Sequence, residues 1–129
     1  MDRVRNIERH FLASGSIGLK SLSNTDRGLY SEWLAAVAWI EQSGDVLEHH
    51  RFRTKYSEVD LLFSSPVSWT WIEVKTLGSI YFLGTRLSAG QRKRISRGRF
   101  FLEETMGVSV RLMYAVVGHF GNVEFFDLI

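Results

Sequence analysis

Cysteine is absent from the 129 residues, which excludes disulfides, thiolate zinc sites and a cysteine nucleophile. Proline occurs once, at Pro66, and no segment is repetitive or of low complexity. No glycine-rich loop links a strand to a helix, which argues against nucleotide binding of the phosphate-loop kind. The glycine-flanked serine of a nucleophile elbow is also missing. Long hydrophobic runs are lacking: no apolar stretch at the N-terminus suits a signal peptide, and none is long enough to span a bilayer. The expectation is a cytoplasmic protein without membrane contact. Neither sign of charge dominates, with 16 Lys and Arg against 14 Asp and Glu, a net charge of +2 and a pI of about 9.2. The placement of those charges therefore says more than their sum. What is present is ordinary globular material, 45% hydrophobic and 23% charged. It is enough for one domain over residues 1–129 with a modest core.

The stretch from Ser57 to Thr76, SEVDLLFSSPVSWTWIEVKT, organises the chain. β-branched and aromatic residues fill both halves, and Ser64, Ser65 and Pro66 break them, as in an antiparallel hairpin with a loop of about four or five residues. Strict alternation puts Trp71, Glu73 and Lys75 on one face of the second strand. On the first strand it puts Glu58 and Asp60 on one face and Val59, Leu61 and Phe63 on the other. Asp60 and Glu73 can then converge across the ladder. Two carboxylates about 4 Å apart repel by roughly 4 kcal/mol at an effective dielectric near 20. Lys75 offsets part of that repulsion, and a divalent cation offsets more. A hard cation held by Asp60 and Glu73 leaves positions open for water and a phosphate oxygen. Lys75 would orient the water or stabilise charge on the phosphate. The plainer alternative is a cross-strand ion pair on the surface.

Around this hairpin the pattern predicts further elements. Val4, Ile7 and Phe11 have helical spacing, so residues 2–13 read as a short amphipathic helix, and the Ser- and Gly-rich residues 14–27 as a linker. A second helix is expected over about Asp26–Gln42, with Asp26 as N-cap and Gly44 ending it. Its middle, LYSEWLAAVAWI, is apolar on every side except at Glu32. A carboxylate there needs a cation, a donor cluster or a metal, unless it lies in an exposed first turn. Val46–Thr54 reads as a strand, with His49 and His50 on opposite faces and both taken as surface residues. Residues 77–87 read as a loop with Tyr81, Phe82 and Arg86 that suits substrate contact or, equally, a lid over the core edge. The following helix runs from a Ser88 cap to about Met106, with Ile95, Phe101 and Leu102 buried. Arg92, Lys93, Arg94, Arg97 and Arg99 crowd it, a like-charge block that a polyanion would relieve. Nucleic-acid contact is the reading preferred over a merely solvated face. Two strands, Val108–Val117 and Val123–Leu128, close the chain around a Gly118–Gly121 turn. The order α-α-β-β-β-α-β-β defines an α/β class: a mixed sheet of four to five strands with helices on both faces.

The stretches GLYSEWLAA, SEVDLL, WIEVKT and SAGQRKR, in that order, resemble the PD-(D/E)XK nuclease superfamily. They are most similar to its small bacterial YraN-like, Holliday-junction-resolvase-like branch. The resemblance implies a restriction-endonuclease-like core and phosphodiester hydrolysis dependent on Mg2+ or Mn2+. It makes Asp60 and Glu73 metal ligands and Lys75 the catalytic lysine. Glu32 would be a further acid and Gln91 a helix residue reaching toward the site. Val59 stands where the superfamily has its proline, and Ser31 and Ser57 stand where the branch usually has glycine. The expected function is a metal-dependent endonuclease acting on DNA, including branched or single-stranded forms. The alternatives are a nucleic-acid-binding module of the same fold with little catalysis, and a partner-binding protein whose acids only form ion pairs. Resolvase action would require two active sites and therefore a homodimer.

Overall fold

The computed structural model describes residues 24–76, 89–118 and 120–128. The expected helix at 2–13, the linker and the loop at 77–87 lie outside those residues. Within them the order is α1 (Asn24–Ser43), β1 (Val46–Arg53), β2 (Glu58–Ser64), β3 (Trp69–Thr76), α2 (Ala89–Met106), β4 (Val110–Val117) and β5 (Val123–Asp127). The strands form one mixed sheet in the order β1-β2-β3-β4-β5. Only β3 and β4 run parallel, and α2 is the connection between them. A parallel neighbour cannot be reached by a tight turn, so this crossover follows from the topology. The α/β class and element order are those expected after the first helix.

Each helix covers one face. Ala35, Ala36 and Trp39 of α1 pack on Leu61, Phe63, Ile72 and Met113. The two alanines bring the helix backbone close to the sheet, and the indole fills the space beyond. Ile95 and Leu102 of α2 pack on Leu62, Trp71, Leu112 and Tyr114 of the opposite face. The third residue that α2 buries is Gly98 rather than Phe101, which is half-buried. A Cβ on Gly98 would lie 2.8 Å from both the Trp71 ring and Ser57 Oγ. Only a glycine lets the helix cross Trp71 this closely.

The ends behave as local chemistry requires. α1 begins at Asn24, two residues ahead of the expected start. It stops at Gly44, whose φ is 74° and whose N–H donates to the Ile40 carbonyl at 2.9 Å. α2 stops at Gly107 in the same way, through a 2.9 Å bond to the Glu103 carbonyl. Glu103 also accepts from the Val110 N–H at 3.0 Å, tying the helix end to the start of β4. In the hairpin loop, Ser65 bonds across to Ser68 through both backbone and side chain.

The alternation expected along β2 fails at one place. Leu61 and Phe63 face α1 as expected, but Val59 joins Leu62 on the α2 face. β1 shows the same reversal: Leu61 pairs with His50 and Val59 with Phe52, which places Arg51 opposite Asp60. Arg51 has φ of 54°, the one non-glycine residue with positive φ among those described. The left-handed residue turns β1 over, and β2 turns with it. Beyond Leu61↔Ile72 the β2–β3 ladder opens. Asp60 sits in that opening.

Candidate functional site

The opening converts a backbone ladder into a carboxylate cradle. Asp60 Oδ2 accepts from the Val74 N–H at 2.8 Å. In return, the Asp60 N–H donates to the Glu73 carboxylate. Each side chain thus takes a backbone donor that regular pairing would have used. Trp71 Nε1 donates to Glu73 Oε1 at 2.7 Å, fixing that carboxylate from two residues away on the same face. Trp71 is itself fully buried beneath Gly98, so Glu73 is aimed by a ring that cannot move.

The pair is electrostatically unsatisfied. Burial and the neighbouring Glu73 push the Asp60 carboxyl up to about 8, against the opposing effects of the Val74 N–H and Lys75. Burial raises Glu73 as well, although the Trp71 bond and Lys75 oppose it. The charge on Glu32 raises both. Lys75 is a single cation beside two carboxylates, and it does not restore either to the ordinary range.

Glu32 has the partner its setting demanded. It is only 6% exposed and lies well inside α1, so the reading as an exposed first-turn acid fails. Arg51 grips it with two bonds of 2.9 Å, Nε to Oε1 and an Nη to Oε2. His50 Nε2 donates to Oε1 at 2.7 Å. Burial alone would raise the Glu32 carboxyl, but these donors and the Arg51 charge more than reverse it, and its pKa is lowered. The same bonds raise the already high Arg51 value. His50 is therefore no free surface residue, which corrects the expectation. Its fellow His49 stacks on Phe52 at 4.4 Å on the other face. The Ser31 hydroxyl bonds Thr76 Oγ1, holding this turn of α1 to the end of β3.

Gln91 and Arg94 of α2 join Ser57, Glu58, Glu73 and Lys75 around a cleft of about 120 Å3. The Ser57 hydroxyl is buried with no hydrogen-bond partner among the described residues. Arg92, Lys93, Arg94, Arg97 and Arg99 are all exposed along α2, with Arg99 3.7 Å from Glu103. The structure thus brings Glu73, Lys75 and Gln91 to one cleft, sets Asp60 beside Glu73, and leaves Glu32 clamped next to them. Alternation put Trp71 on the face of Glu73 and Lys75, but sequence patterns did not reveal its bond to Glu73, nor Arg51, His50 and Ser57 as parts of this region. A basic residue directly after a histidine carries no spacing signal, and the positive φ of Arg51 has no signature outside glycine or asparagine.

A metal can be judged against these groups. Among the described residues, no three His, Asp or Glu side chains form a ligand cluster. Magnesium commonly takes only one or two carboxylates and keeps several waters. Two crowded, pre-aimed carboxylates beside an orphaned hydroxyl fit such a hydrated divalent cation. They fit a zinc site poorly, since zinc prefers four protein nitrogen or sulfur ligands in structural sites.

Fold and site together define an α/β protein with an acid pair and a lysine at an opened strand junction, beneath a basic helix. The chain belongs to the UPF0102 family. It is 34% identical to a UPF0102 protein of Desulforapulum autotrophicum over 86 residues, which cover 64% of this chain and 71% of that relative. No family model matches it. No helix among the described residues is long and apolar enough to cross a membrane.

Proposed function

We propose that the protein is a divalent-metal-dependent endonuclease of the PD-(D/E)XK kind that hydrolyses phosphodiester bonds in DNA. The observation that carries this reading is the geometry of the pair: Asp60 is held by the Val74 N–H and Glu73 by Trp71 Nε1, and Glu73 shares its cleft with Lys75 and Gln91. A fold maintains such a pair at a cost, and a cation is the simplest thing that relieves it.

Asp60 and Glu73 would hold Mg2+ or Mn2+, which supplies Lewis acidity toward the scissile phosphate and a more acidic bound water. Val74 N–H and Trp71 Nε1 keep the two carboxylates in place before substrate arrives. Lys75 holds the attacking water or stabilises the charge that develops on phosphorus. Gln91 and Arg94, in the same cleft, position the phosphate from α2. Attack at phosphorus breaks the bond to the 3′ oxygen and leaves a 5′-phosphate and a 3′-hydroxyl. Glu32 acts through its charge and through the Arg51 and His50 clamp, as a positioning residue.

The exposed basic helix supports a second reading, a module that binds nucleic acid without cutting it. Single-stranded, flap and four-way-junction DNA, titrated with Mg2+ and Mn2+, separate the two. The nuclease reading expects cleavage abolished by EDTA and by Lys75→Ala, with binding retained in the variant. Binding with no cleavage under any metal overturns it in favour of the module. A manganese soak should place anomalous density between Asp60 and Glu73.

A further inference from the structure

A larger groove lies beside the candidate active cleft, with a volume of about 620 Å3. Lys93, Arg97, Phe100, Phe101 and Glu104 of α2 line it, and Tyr56 from the β1–β2 turn forms its other wall. Along the helix these positions are spaced i, i+4, i+7, i+8 and i+11, the spacing of a face that normally packs inward. Here that face is open. Phe100 is 64% exposed and Tyr56 37%. Tyr56 meets Phe101 edge-on at 6.1 Å, and the Lys55 ammonium lies 5.8 Å from its ring centre. The turn that carries Tyr56 is held by Thr54 Oγ1, which accepts from the N–H groups of Tyr56 and Ser57 at 3.1 and 3.0 Å. The aromatic wall is therefore set in place. Tyr56 adjoins Ser57 in the chain, and Lys93 adjoins Arg94, so the groove neighbours the cleft that holds Glu73 and Lys75.

We infer that this groove is a subsite for an unpaired nucleotide of the strand presented to the active cleft. Phe100 and Tyr56 offer flat apolar faces to a base, while Lys93 and Arg97 take the flanking phosphates. Glu104 offers an acceptor to an exocyclic amine. Aromatic platforms beside cationic tracks are how single strands are bound without strict sequence preference. A groove carrying two basic residues and one acid favours a polyanion over an apolar peptide. The groove adds to the nuclease reading a preference for DNA with unpaired bases near the scissile bond, and rests on that reading for the neighbouring chemistry.

The test uses the full chain in EDTA, so that binding is read without cleavage. Single-stranded, duplex and abasic oligonucleotides are compared by anisotropy, with 2-aminopurine as the stacking reporter. Phe100→Ala should weaken binding of the single strand by about tenfold. Duplex and abasic strands should bind the variant and the wild type alike, and the 2-aminopurine quench should be lost. Equal weakening on the abasic strand, or no weakening at all, overturns the proposal. So does a variant that loses thermal stability but keeps its affinity, since the groove would then be packed by protein. Cleavage assayed separately keeps the two readings apart. Metal-dependent cutting with no effect of Phe100→Ala sinks the subsite alone. A Phe100-dependent quench with no cutting under any metal sinks the nuclease alone.

Discussion

Arg51 does two incompatible-looking things: it sits in a strand with a left-handed backbone, and it neutralises the buried Glu32. Removing its guanidinium should cost on the order of 2 kcal/mol, the worth of hydrogen bonds to a charged group. The backbone makes a sharper prediction. Arg51→Gly should be more stable than Arg51→Ala by about 1 kcal/mol, because only glycine tolerates φ of 54° without penalty. Urea unfolding of the two variants decides it, and a more stable alanine variant would contradict the kink. The carboxylates predict two separate pH windows. Glu32 is lowered on folding, so its contribution is full above the ordinary value of 4.5 and is lost as pH falls through the lower folded value. Asp60 is raised from 3.8 to about 8, so the folded state holds the extra proton between those limits. Without divalent metal, stability should therefore fall as pH rises from about 4 to about 8. Asp60→Asn should reduce that slope to the part that buried Glu73 contributes, and a bound divalent ion should stabilise the wild type more at pH 8 than at pH 5. Thermal melts across this range, with and without Mn2+, provide the check.

Among the elements, α2 couples packing to the site. A glycine inside an exposed helix usually costs about 1 kcal/mol relative to alanine. Gly98 reverses that expectation, because a Cβ there would come within 2.8 Å of Trp71 and Ser57, and its absence is what lets α2 lie on them. The Trp71 indole cannot yield, since it is fully buried and its Nε1 is bonded to Glu73. Gly98→Ala should destabilise by about 1–3 kcal/mol, the usual cost of overpacking. It should also disturb Glu73, so metal affinity should fall along with the melting temperature. A stabilised variant with unchanged metal binding would refute the coupling. α1 has a matching role on the opposite face, where the Ser31–Thr76 bond and the Glu32 clamp hold it to β3 and β1.

Across the molecule, negative charge gathers at the strand junction and positive charge lies along the outside of α2. A nucleic acid would be drawn by the helix and delivered to the acids, which tolerate its phosphates only with a cation between them. The salt dependence of binding tests that division. Lys93→Gln and Arg97→Gln should each reduce the slope of log K against log salt by about 0.7 on a single strand or 0.9 on a duplex. Arg99→Gln should change it least, because Glu103 already lies 3.7 Å from that guanidinium. Slopes that do not change in any of the three would place the binding face elsewhere.

Elements and their order were legible in the chain because apolar spacing, glycine stops and the hairpin break are local signals. The acid pair on neighbouring strands was legible for the same reason, since two strands joined by four residues must lie side by side. Nothing local could show that β1 and β2 reverse face together at Arg51 and Asp60, or that β3 yields its Val74 N–H to a side chain. Those events depend on contacts between residues 14 to 19 positions apart or more, among them Asp60 with Val74 and Glu32 with Arg51. The demand for a partner at Glu32 could be read from its apolar neighbours. Which residue answers that demand is a matter of distance in space, and folding alone brings Arg51 and His50 to it.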